Sequence, residues 1–149
     1  MKKIHKLEDI HIKSGNITLN IDMSRMERNL NRAQYALDSA VMTDMVKFMP
    51  MDTGQFINET KARSAAIAGS GKVVAAASPF GQFLYEGKVM VGVSSGSPWA
   101  KKYEKKVVTD RDINFYKGTH PDAQAHWFEP AKEKNIDKWV EVVAKQMGK

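Results

Sequence analysis

The chain has 149 residues, of which 42% are hydrophobic and 27% are charged, as is usual for one globular domain. It contains no cysteine, which excludes disulfides, thiolate metal ligands and a thiol nucleophile. No apolar run reaches the roughly 18 residues that a membrane span needs. The net charge of +6 indicates an attraction to polyanions, either nucleic acid or an acidic protein surface.

The first 22 residues form a basic arm that contains two short alternating runs. Residues 10–13 and 17–21 alternate apolar and polar side chains and are separated by Ser-Gly-Asn, a hairpin-type turn. This pattern predicts a β-hairpin, or alternatively a loose arm with one strand. His5 and His11 have no acidic or third ligand beside them, so we interpret both as surface residues rather than metal ligands.

The longest periodic segment begins at Ser24 and predicts an α-helix. Ser24 and Glu27 have the spacing of a capping box, in which each side chain accepts a hydrogen bond from the backbone N–H of the other residue. Apolar residues then recur at steps of three and four up to Phe48, and Pro50 ends the pattern. A helix of this length spans roughly 37 Å, so it must pack along a sheet or along neighbouring subunits.

Residues 49–54 mark a corner after this helix and contain Asp-Thr-Gly, the signature of aspartic proteases. Such a protease needs two aspartates that share a proton, and a short chain could supply the second by dimerising. The protease motif follows an apolar strand, whereas this one follows a helix, so we favour a turn. The residues predicted to determine the fold at this corner are Pro50, Asp52, Thr53 and Gly54.

The middle of the chain consists of shorter runs that we interpret mainly as strands. Strands are expected at residues 55–62, 72–77, 88–93 and 113–118. A short helix is expected from Ser78 and Pro79 up to Gly87, since these are good start and stop residues. Residues 99–112 are strongly charged and are predicted to form a mobile loop or an exposed hairpin. Residues 69–72 (GSGK) lack the spacing of a phosphate-binding loop.

Beyond Pro121 the pattern becomes helical again, with a break expected just before Pro130. Helices and strands are therefore segregated along the chain rather than regularly alternating. We predict an α+β fold with a mostly antiparallel sheet, packed by one long helix in the N-terminal half and by a C-terminal helix, with a short helix between strands. A single domain is expected over residues 1–149.

Few residues have the chemistry of a reactive site. His120 and His126 lie near Asp122 and Glu129 in the sequence. On a helix His126 and Asp122 would share a face, but this spacing matches no established metal site. The serines cluster in glycine-rich turns, so no Ser-His-Asp arrangement can be singled out. We predict no catalytic residue, no metal and no cofactor.

Three segments, taken together, resemble a known family. Residues 50–56 (PMDTGQF) follow a long helix, and residues 79–88 (PFGQFLYEGK) form an aromatic segment that ends in glycine and lysine. Residues 120–132 (HPDAQAHWFEPAK) contain a Trp-Phe-Glu block. In their order and spacing they resemble the small minor capsid and tail-completion proteins at the head–tail junction of long-tailed bacteriophages. The resemblance covers about residues 24–149.

This resemblance implies a structural virion protein without a catalytic site, located at the head–tail junction and, during assembly, in the host cytoplasm. It implies a homo-oligomeric ring that docks to neighbouring connector and tail proteins, with no membrane involved. A ring that lines the DNA path could also use a basic surface for sequence-independent contacts with packaged DNA. The candidate interface residues are Phe80, Phe83, Tyr85, Trp99, Lys101, Lys102, Lys105, Lys106, Trp127 and Phe128.

A basic nucleic-acid-binding regulator is the competing hypothesis, and it explains the positive charge equally well. However, the sequence shows no helix-turn-helix pair with a basic recognition helix, no RNA-binding aromatic motif and no zinc site. A dimeric aspartic protease that acts through Asp52 is the third hypothesis.

Overall fold

The computed structural model of the protein describes residues 4–77, 79 and 81–148. A 3-10 turn, Val46–Phe48, extends the first helix. None of the helices in the described ranges combines the length and the apolar character needed to cross a bilayer. In chain order the elements are β1 (Ile10–Ser14), β2 (Ile17–Ile21), α1 (Ser24–Met45), α2 (Gln55–Ile67), α3 (Gly81–Glu86), β3 (Lys88–Gly92), β4 (Lys106–Asp112) and α4 (Phe128–Met147).

The chain opens with a β-hairpin, which confirms the first of the two predicted alternatives. β1 and β2 pair antiparallel, with Ile10 opposite Ile21 and Ser14 opposite Ile17. Alternate residues of a strand point to opposite faces, so this register collects the large aliphatic side chains on one face and the polar ones on the other. Every residue of both strands is exposed to solvent.

Helix α1 follows the predicted apolar stripe, and its buried residues include Ala33, Val41 and Met45. The stripe continues through the 3-10 turn, and Met49 then adopts an extended backbone. A proline disfavours helical backbone in the residue before it, so Pro50 explains why the helix stops here. The predicted end of the helix is therefore confirmed.

The start of α1 differs from the predicted capping box. Ser24 is the first helical residue, and its hydroxyl accepts a hydrogen bond from the Arg28 guanidinium. The Asp22 carboxylate accepts from the Ser24 N–H at 2.8 Å, and this bond lowers the pKa of Asp22. The Glu27 carboxylate accepts from the Leu7 N–H at 3.2 Å. The capping-box prediction was wrong because both side chains bind other groups.

Helix α2 occupies residues where a strand was expected, so the strand prediction for residues 55–62 was wrong. The buried side of the helix consists of Ile57, Thr60 and Ser64, which lie three and four residues apart. This spacing is helical, but two of the three side chains are hydroxyls, and a search for apolar periodicity does not register them. The Thr60 hydroxyl donates to the Phe56 carbonyl at 2.8 Å.

Residues 72–77, also predicted as a strand, form no regular element and instead bond to α2. The Ser64 hydroxyl accepts from the Val74 N–H and donates to the Val74 carbonyl, both at 3.0 Å. The Thr60 hydroxyl accepts from the Ala77 N–H at 3.1 Å. Side chains of α2 therefore satisfy backbone groups that a neighbouring strand would otherwise have paired.

The short helix α3 ends before Gly87, as the sequence predicts, but it begins at Gly81 rather than at Pro79, and Ser78 lies outside the described residues. α3 is followed by Gly87 in the left-handed region, with φ +68°, and β3 confirms the strand expected at residues 88–93. β4 pairs antiparallel with β3, so the second half of the 99–112 section belongs to a hairpin. Residues 113–118 were predicted as a strand, but beyond the hydrogen bond from the Ile113 N–H to the Gly87 carbonyl they leave the sheet.

Helix α4 begins at Phe128, later than the start predicted at Pro121, because residues 121–127 form turns. Pro130 is the third residue of α4. In the first turn of a helix the missing N–H of a proline has no helical partner to lose. The break expected before Pro130 is therefore the beginning of the helix.

The core lies where α1 and α4 pack against each other. The two helices are also joined by polar contacts, since Lys138 and the Trp139 indole donate to the Asp44 carboxylate at 2.6 and 2.8 Å. The α+β class with antiparallel strands is confirmed, although the strands form two separate two-stranded sheets. The buried cluster consists of Val41, Met42, Met45, Phe48, Met49, Ile57, Trp127, Ala131 and Trp139.

Candidate interaction surfaces

The corner after α1 is a turn that joins two helices, whereas a helix-to-sheet corner was expected. Gly54 has φ +81° and immediately precedes α2, and the Thr53 hydroxyl accepts a 3.4 Å hydrogen bond from the Gln55 N–H. Asp52 is exposed at this turn. Residues 113–116 lie beside the corner, and together they line a depression of about 260 Å³.

Trp127 is the centre of an aromatic cluster inside the protein. Its side chain is fully buried, and its indole N–H donates to the Ala75 carbonyl at 2.9 Å. Its ring meets those of Phe56 and Tyr85 edge-on, with centroids 6.0 and 4.9 Å away. Trp127 is a candidate interface residue in the sequence, and the structure places its side chain in the core of the chain.

The other aromatic candidates of this region lie near the core surface. Phe83, Tyr85 and Phe128 are half-buried, and Phe80 lies outside the described residues. The Tyr85 hydroxyl donates to the Glu129 carboxylate at 3.1 Å. Desolvation, together with this carboxylate, raises the pKa of Tyr85 to about 12. Tyr85 therefore connects α3 to the first turn of α4.

The two histidines near α4 serve separate contacts. His120 Nδ1 is hydrogen-bonded to the Met49 carbonyl at 2.8 Å, which fixes this segment to the end of α1. His126 has a left-handed backbone, with φ +48°, and lies 3.6 Å from the Glu86 carboxylate. Because the segment is not helical, His126 and Asp122 do not share a helix face. Among the residues whose structure is described, no three His, Asp or Glu side chains cluster closely enough to hold a metal ion.

Asp38 organises a glycine turn, a role that sequence reasoning missed. Its buried carboxylate accepts from the N–H groups of Gly69 and Gly71 at 2.8 and 3.1 Å, and from the Gln34 side chain at 2.8 Å. Backbone N–H groups that converge on one point can bind an anion, and here the protein's own carboxylate occupies that point. The sequence does contain one signal for this role. Asp38 lies three residues before Val41, so its carboxylate falls on the apolar stripe of α1, where a charged side chain needs a partner.

Glu104 fixes the shape of the segment that follows β3 and runs up to Lys106, the first residue of β4, and we term this segment the basic loop (residues 93–106). Its carboxylate accepts from the Ser94 hydroxyl at 2.7 Å, and from the N–H groups of Ser95 and Lys101 at 2.7 and 2.8 Å. These hydrogen bonds lower the pKa of Glu104 to about 2, and the bond from the Ser94 side chain has the largest effect. The loop is therefore tied together by one carboxylate that stays ionised at neutral pH.

The basic loop presents aromatic and positively charged side chains to solvent. Trp99 and Tyr103 are 89% and 91% exposed, and Tyr103 has a left-handed backbone with φ +67°. The candidate Trp99 and the candidate lysines are thus all exposed within one loop. The exposed lysines of this loop are Lys101, Lys102, Lys105 and Lys106.

The hairpin presents an uncovered apolar face. Its five large aliphatic side chains are 39% to 73% exposed and together offer roughly 500 Å² of surface, the size of the largest apolar patch on a typical monomer. An isolated two-stranded hairpin is only marginally stable in water, so such a face normally packs against something. The five residues are Ile10, Ile12, Ile17, Leu19 and Ile21.

Polar contacts hold the base of the hairpin against α1. The buried Asn31 side chain accepts from the N–H groups of Ile4 and His5 at 3.0 and 3.2 Å. Closer to the hairpin, the Asp9 carboxylate accepts from the Met23 N–H at 2.8 Å. The segment before β1 therefore runs along the first turns of α1, and the hairpin starts at the N-terminal end of that helix.

An apolar groove lies between α1 and α4, and we term it the α1–α4 groove. It encloses about 400 Å³, and its exposed apolar residues, Ile136 and Val140, are 42% and 60% accessible. Along α4 beside it, Glu133, Asp137 and Glu141 are exposed and follow one another at four-residue steps. Residues four apart are neighbours on a helix, so these three form an acidic row. The groove is lined by Leu37, Val41, Phe128, Lys132, Ile136, Trp139, Val140 and Val143.

Comparison with known proteins identifies the family. A family described as minor capsid protein matches residues 10–147, a range that includes the hairpin, the basic loop and both long helices. No curated protein and no solved structure shows a significant match to the chain. The resemblance of the three sequence segments is confirmed at the level of the phage minor capsid protein, which is a structural component of the virion. The chain therefore belongs to the minor capsid protein family of bacteriophages.

Proposed function

We propose that this minor capsid protein acts at the head–tail junction, where its copies assemble into a ring and dock to neighbouring connector and tail proteins. The role is structural and needs no catalytic group. The observation that carries the proposal is the uncovered apolar face of the hairpin, which has the properties of an assembly contact. The resemblance of residues 50–56, 79–88 and 120–132 to tail-completion proteins supports the position at the junction.

The size of the hairpin face indicates how such an assembly is stabilised. Burying roughly 500 Å² of apolar surface at about 25 cal/mol per Å² contributes about 12 kcal/mol, and association costs a similar amount. One such contact is therefore weak by itself. In a ring each copy makes two contacts with its neighbours, so weak interfaces add up in the closed structure.

The fixed base of the hairpin makes the apolar face a better binding element. Asn31 and Asp9 hold the flanking backbone to α1, so the hairpin has a defined direction before it meets a partner. Preorganisation of this kind lowers the ordering cost of binding. A ring further requires a heterologous contact, in which the hairpin face of one copy covers a different surface of its neighbour.

The test compares two pairs of hairpin residues that face each other across the strands. Ile12 pairs with Leu19 on the apolar face, and Lys13 pairs with Thr18 on the polar face. We expect Ile12→Ser/Leu19→Ser to fold normally, because these side chains are already about half exposed, but to lose self-association in sedimentation velocity. The matched control, Lys13→Ser/Thr18→Ser, should associate like the wild type.

The position in the virion is tested in phage that lack the wild-type gene. Complementation with the wild type or with the Lys13/Thr18 control should give complete virions, whereas the Ile12/Leu19 variant should leave separate heads and tails in electron micrographs. Immunogold labelling should mark the vertex that joins the tail. Complete particles without the protein, or label spread evenly over the capsid shell, would contradict the proposed position.

A further inference from the structure

The basic loop and the α1–α4 groove are opposite in character. The loop carries two aromatic side chains that are about 90% exposed, surrounded by four exposed lysines. The groove is almost entirely apolar, and the exposed Glu133 and Asp137 lie three residues before its Ile136 and Val140, so carboxylates border it on one side. Large aromatic side chains that enter an apolar pocket, with charges paired around them, are the usual anchors of protein interfaces.

The loop is prepared for binding by its internal hydrogen bonds. Glu104 is the one acidic side chain of residues 93–106, and Ser94, Ser95 and Lys101 all donate to its carboxylate. This carboxylate is therefore used inside the loop, while the four lysines are exposed, and Lys106 also donates to the Pro98 carbonyl at 2.7 Å. The loop keeps its shape without a partner, so docking orders few additional groups.

The groove can accept one aromatic side chain. A space of about 400 Å³ is large enough for an indole, and Ile136 and Val140 gain cover when it is filled. Lys132 is the basic side chain of the lining, and it lies on a different side of α4 from Asp137. Because like charges repel, the positive loop should approach from the side of the acidic row.

We propose that the basic loop of one copy docks in the α1–α4 groove of a second copy. Trp99 enters the groove over Ile136 and Val140, and the lysines face the acidic row formed by Glu133, Asp137 and Glu141. This inference rests on the self-assembly proposed above and names a contact for it, separate from the hairpin. The two surfaces differ, so the contact is heterologous and repeats from copy to copy.

Duplex DNA is the competing partner for the lysines, because sequence-independent phosphate contacts need only positive charge. Two features favour a second copy. Trp99 and Tyr103 add apolar surface that a phosphate backbone does not require, and the same chain provides both an apolar groove and the opposite charge. The experiment below includes DNA binding as a separate measurement.

Charge reversal on either side should weaken association, and reversal on both sides should restore it. We expect Lys101→Glu/Lys102→Glu and Asp137→Lys/Glu141→Lys each to raise the dissociation constant in sedimentation by about tenfold or more. Combining the four substitutions in one chain should recover most of the loss. Charge reversal of two exposed lysines elsewhere, Lys61→Glu/Lys72→Glu, is the matched control and should have little effect beyond that of net charge.

Mixing the two defective variants gives a sharper test of a heterologous contact. The loop variant keeps an intact groove, and the groove variant keeps an intact loop, so together they can form one productive contact. We expect a one-to-one complex that neither variant forms alone. Trp99→Ala should weaken association about tenfold, and it should not unfold the chain because Trp99 is almost fully exposed.

Tryptophan fluorescence provides an independent measurement. Trp127 and Trp139 are buried, so Trp99 is the tryptophan that acrylamide quenches in the free protein. Its emission should shift to the blue and lose quenching as the wild-type protein associates. Unchanged Trp99 quenching in the oligomer, or loop variants that associate like the wild type, would overturn the proposal.

Three other outcomes distinguish the loop–groove contact from DNA binding and from the proposed head–tail role. A wild-type protein that stays monomeric at its highest soluble concentration would overturn the loop–groove contact. Loop variants that associate normally but lose salt-dependent binding to a duplex would instead assign the lysines to DNA. If the loop contact fails in this way but phage without the protein still yield separate heads and tails, the head–tail role stands and only this interface is wrong.

Discussion

Replacing Asp38 tests whether one buried carboxylate holds the glycine turn to α1. In Asp38→Ala the N–H groups of Gly69 and Gly71 lose their acceptor. An unsatisfied buried donor costs about 1–3 kcal/mol. The Gly71 N–H is only partly buried, so water can replace part of its lost hydrogen bond. We therefore expect the free energy of unfolding to fall by about 2–4 kcal/mol. For a chain of this size that corresponds to a melting temperature lower by about 5–15 °C.

Asp38→Asn separates hydrogen bonding from charge. The asparagine oxygen can accept from both glycine N–H groups, and the Gln34 amide can turn its oxygen toward the new NH₂ group. We expect this variant to lie within about 1 kcal/mol of the wild type. Because its volume is unchanged, no cavity contributes to the difference.

Urea unfolding followed by circular dichroism measures both variants, with equal m-values as the condition for comparing them. Asp137→Ala is the matched control, since it removes an exposed aspartate from a helix interior and should change stability by less than about 0.5 kcal/mol. A loss below 1 kcal/mol in Asp38→Ala would show that water replaces the carboxylate. Equal losses in Asp38→Ala and Asp38→Asn would show that the charge is required, and either result would refute the reasoning.

Four further variants and two pH titrations test other parts of the structure. Trp127→Ala should lower the free energy of unfolding by about 3–5 kcal/mol. A loss under about 1.5 kcal/mol would contradict the burial of Trp127 in the core. Gly54→Ala should cost about 1–2 kcal/mol in the same assay because its backbone is left-handed, while Gly54→Asn should cost less. The folded-state pKa of Glu104 is below its ordinary value of 4.5, so its stabilisation of the loop is present above pH 4.5 and is lost as the pH falls toward 2. The protection factors of the loop amides, which are corrected for the intrinsic pH dependence of exchange, should fall over that range, and Glu104→Gln should remove this dependence. The phenolate absorbance of Tyr85 should titrate near pH 12, and a midpoint near 10 would contradict its contact with Glu129.

The parts of the fold that the sequence predicts are those with a strong local period. The hairpin and α1 have uninterrupted alternation or an apolar stripe, and both form where expected. α2 was missed because its buried side contains Thr60 and Ser64, whose partners lie in residues 72–77 and cannot be inferred from local pattern. Pro130 was misplaced because a proline in the first turn and a proline that breaks a helix look alike in sequence.

The sequence predicts the exposed candidate residues correctly where the local composition is strongly charged. The lysines of the basic loop and Trp99 lie on the surface, as their charged surroundings indicated. Trp127 is buried, since an aromatic residue in sequence does not reveal whether it packs in a core or in an interface. Asp38 and Asn31 could not be assigned in advance, because their partners are backbone groups more than 25 residues away.

The pairing of α1 with α4 has a consequence for how the protein is made. The apolar stripe of α1 is synthesised early, but α4, the helix that covers it, consists of residues 128–147 and is synthesised last. Until those residues leave the ribosome, the chain exposes much of its core, and long-range closure of this kind is slow compared with local helix formation. A chain that stops before α4 therefore cannot complete the core or form the α1–α4 groove. Such premature products should be degraded, since they keep much of the apolar stripe of α1 exposed.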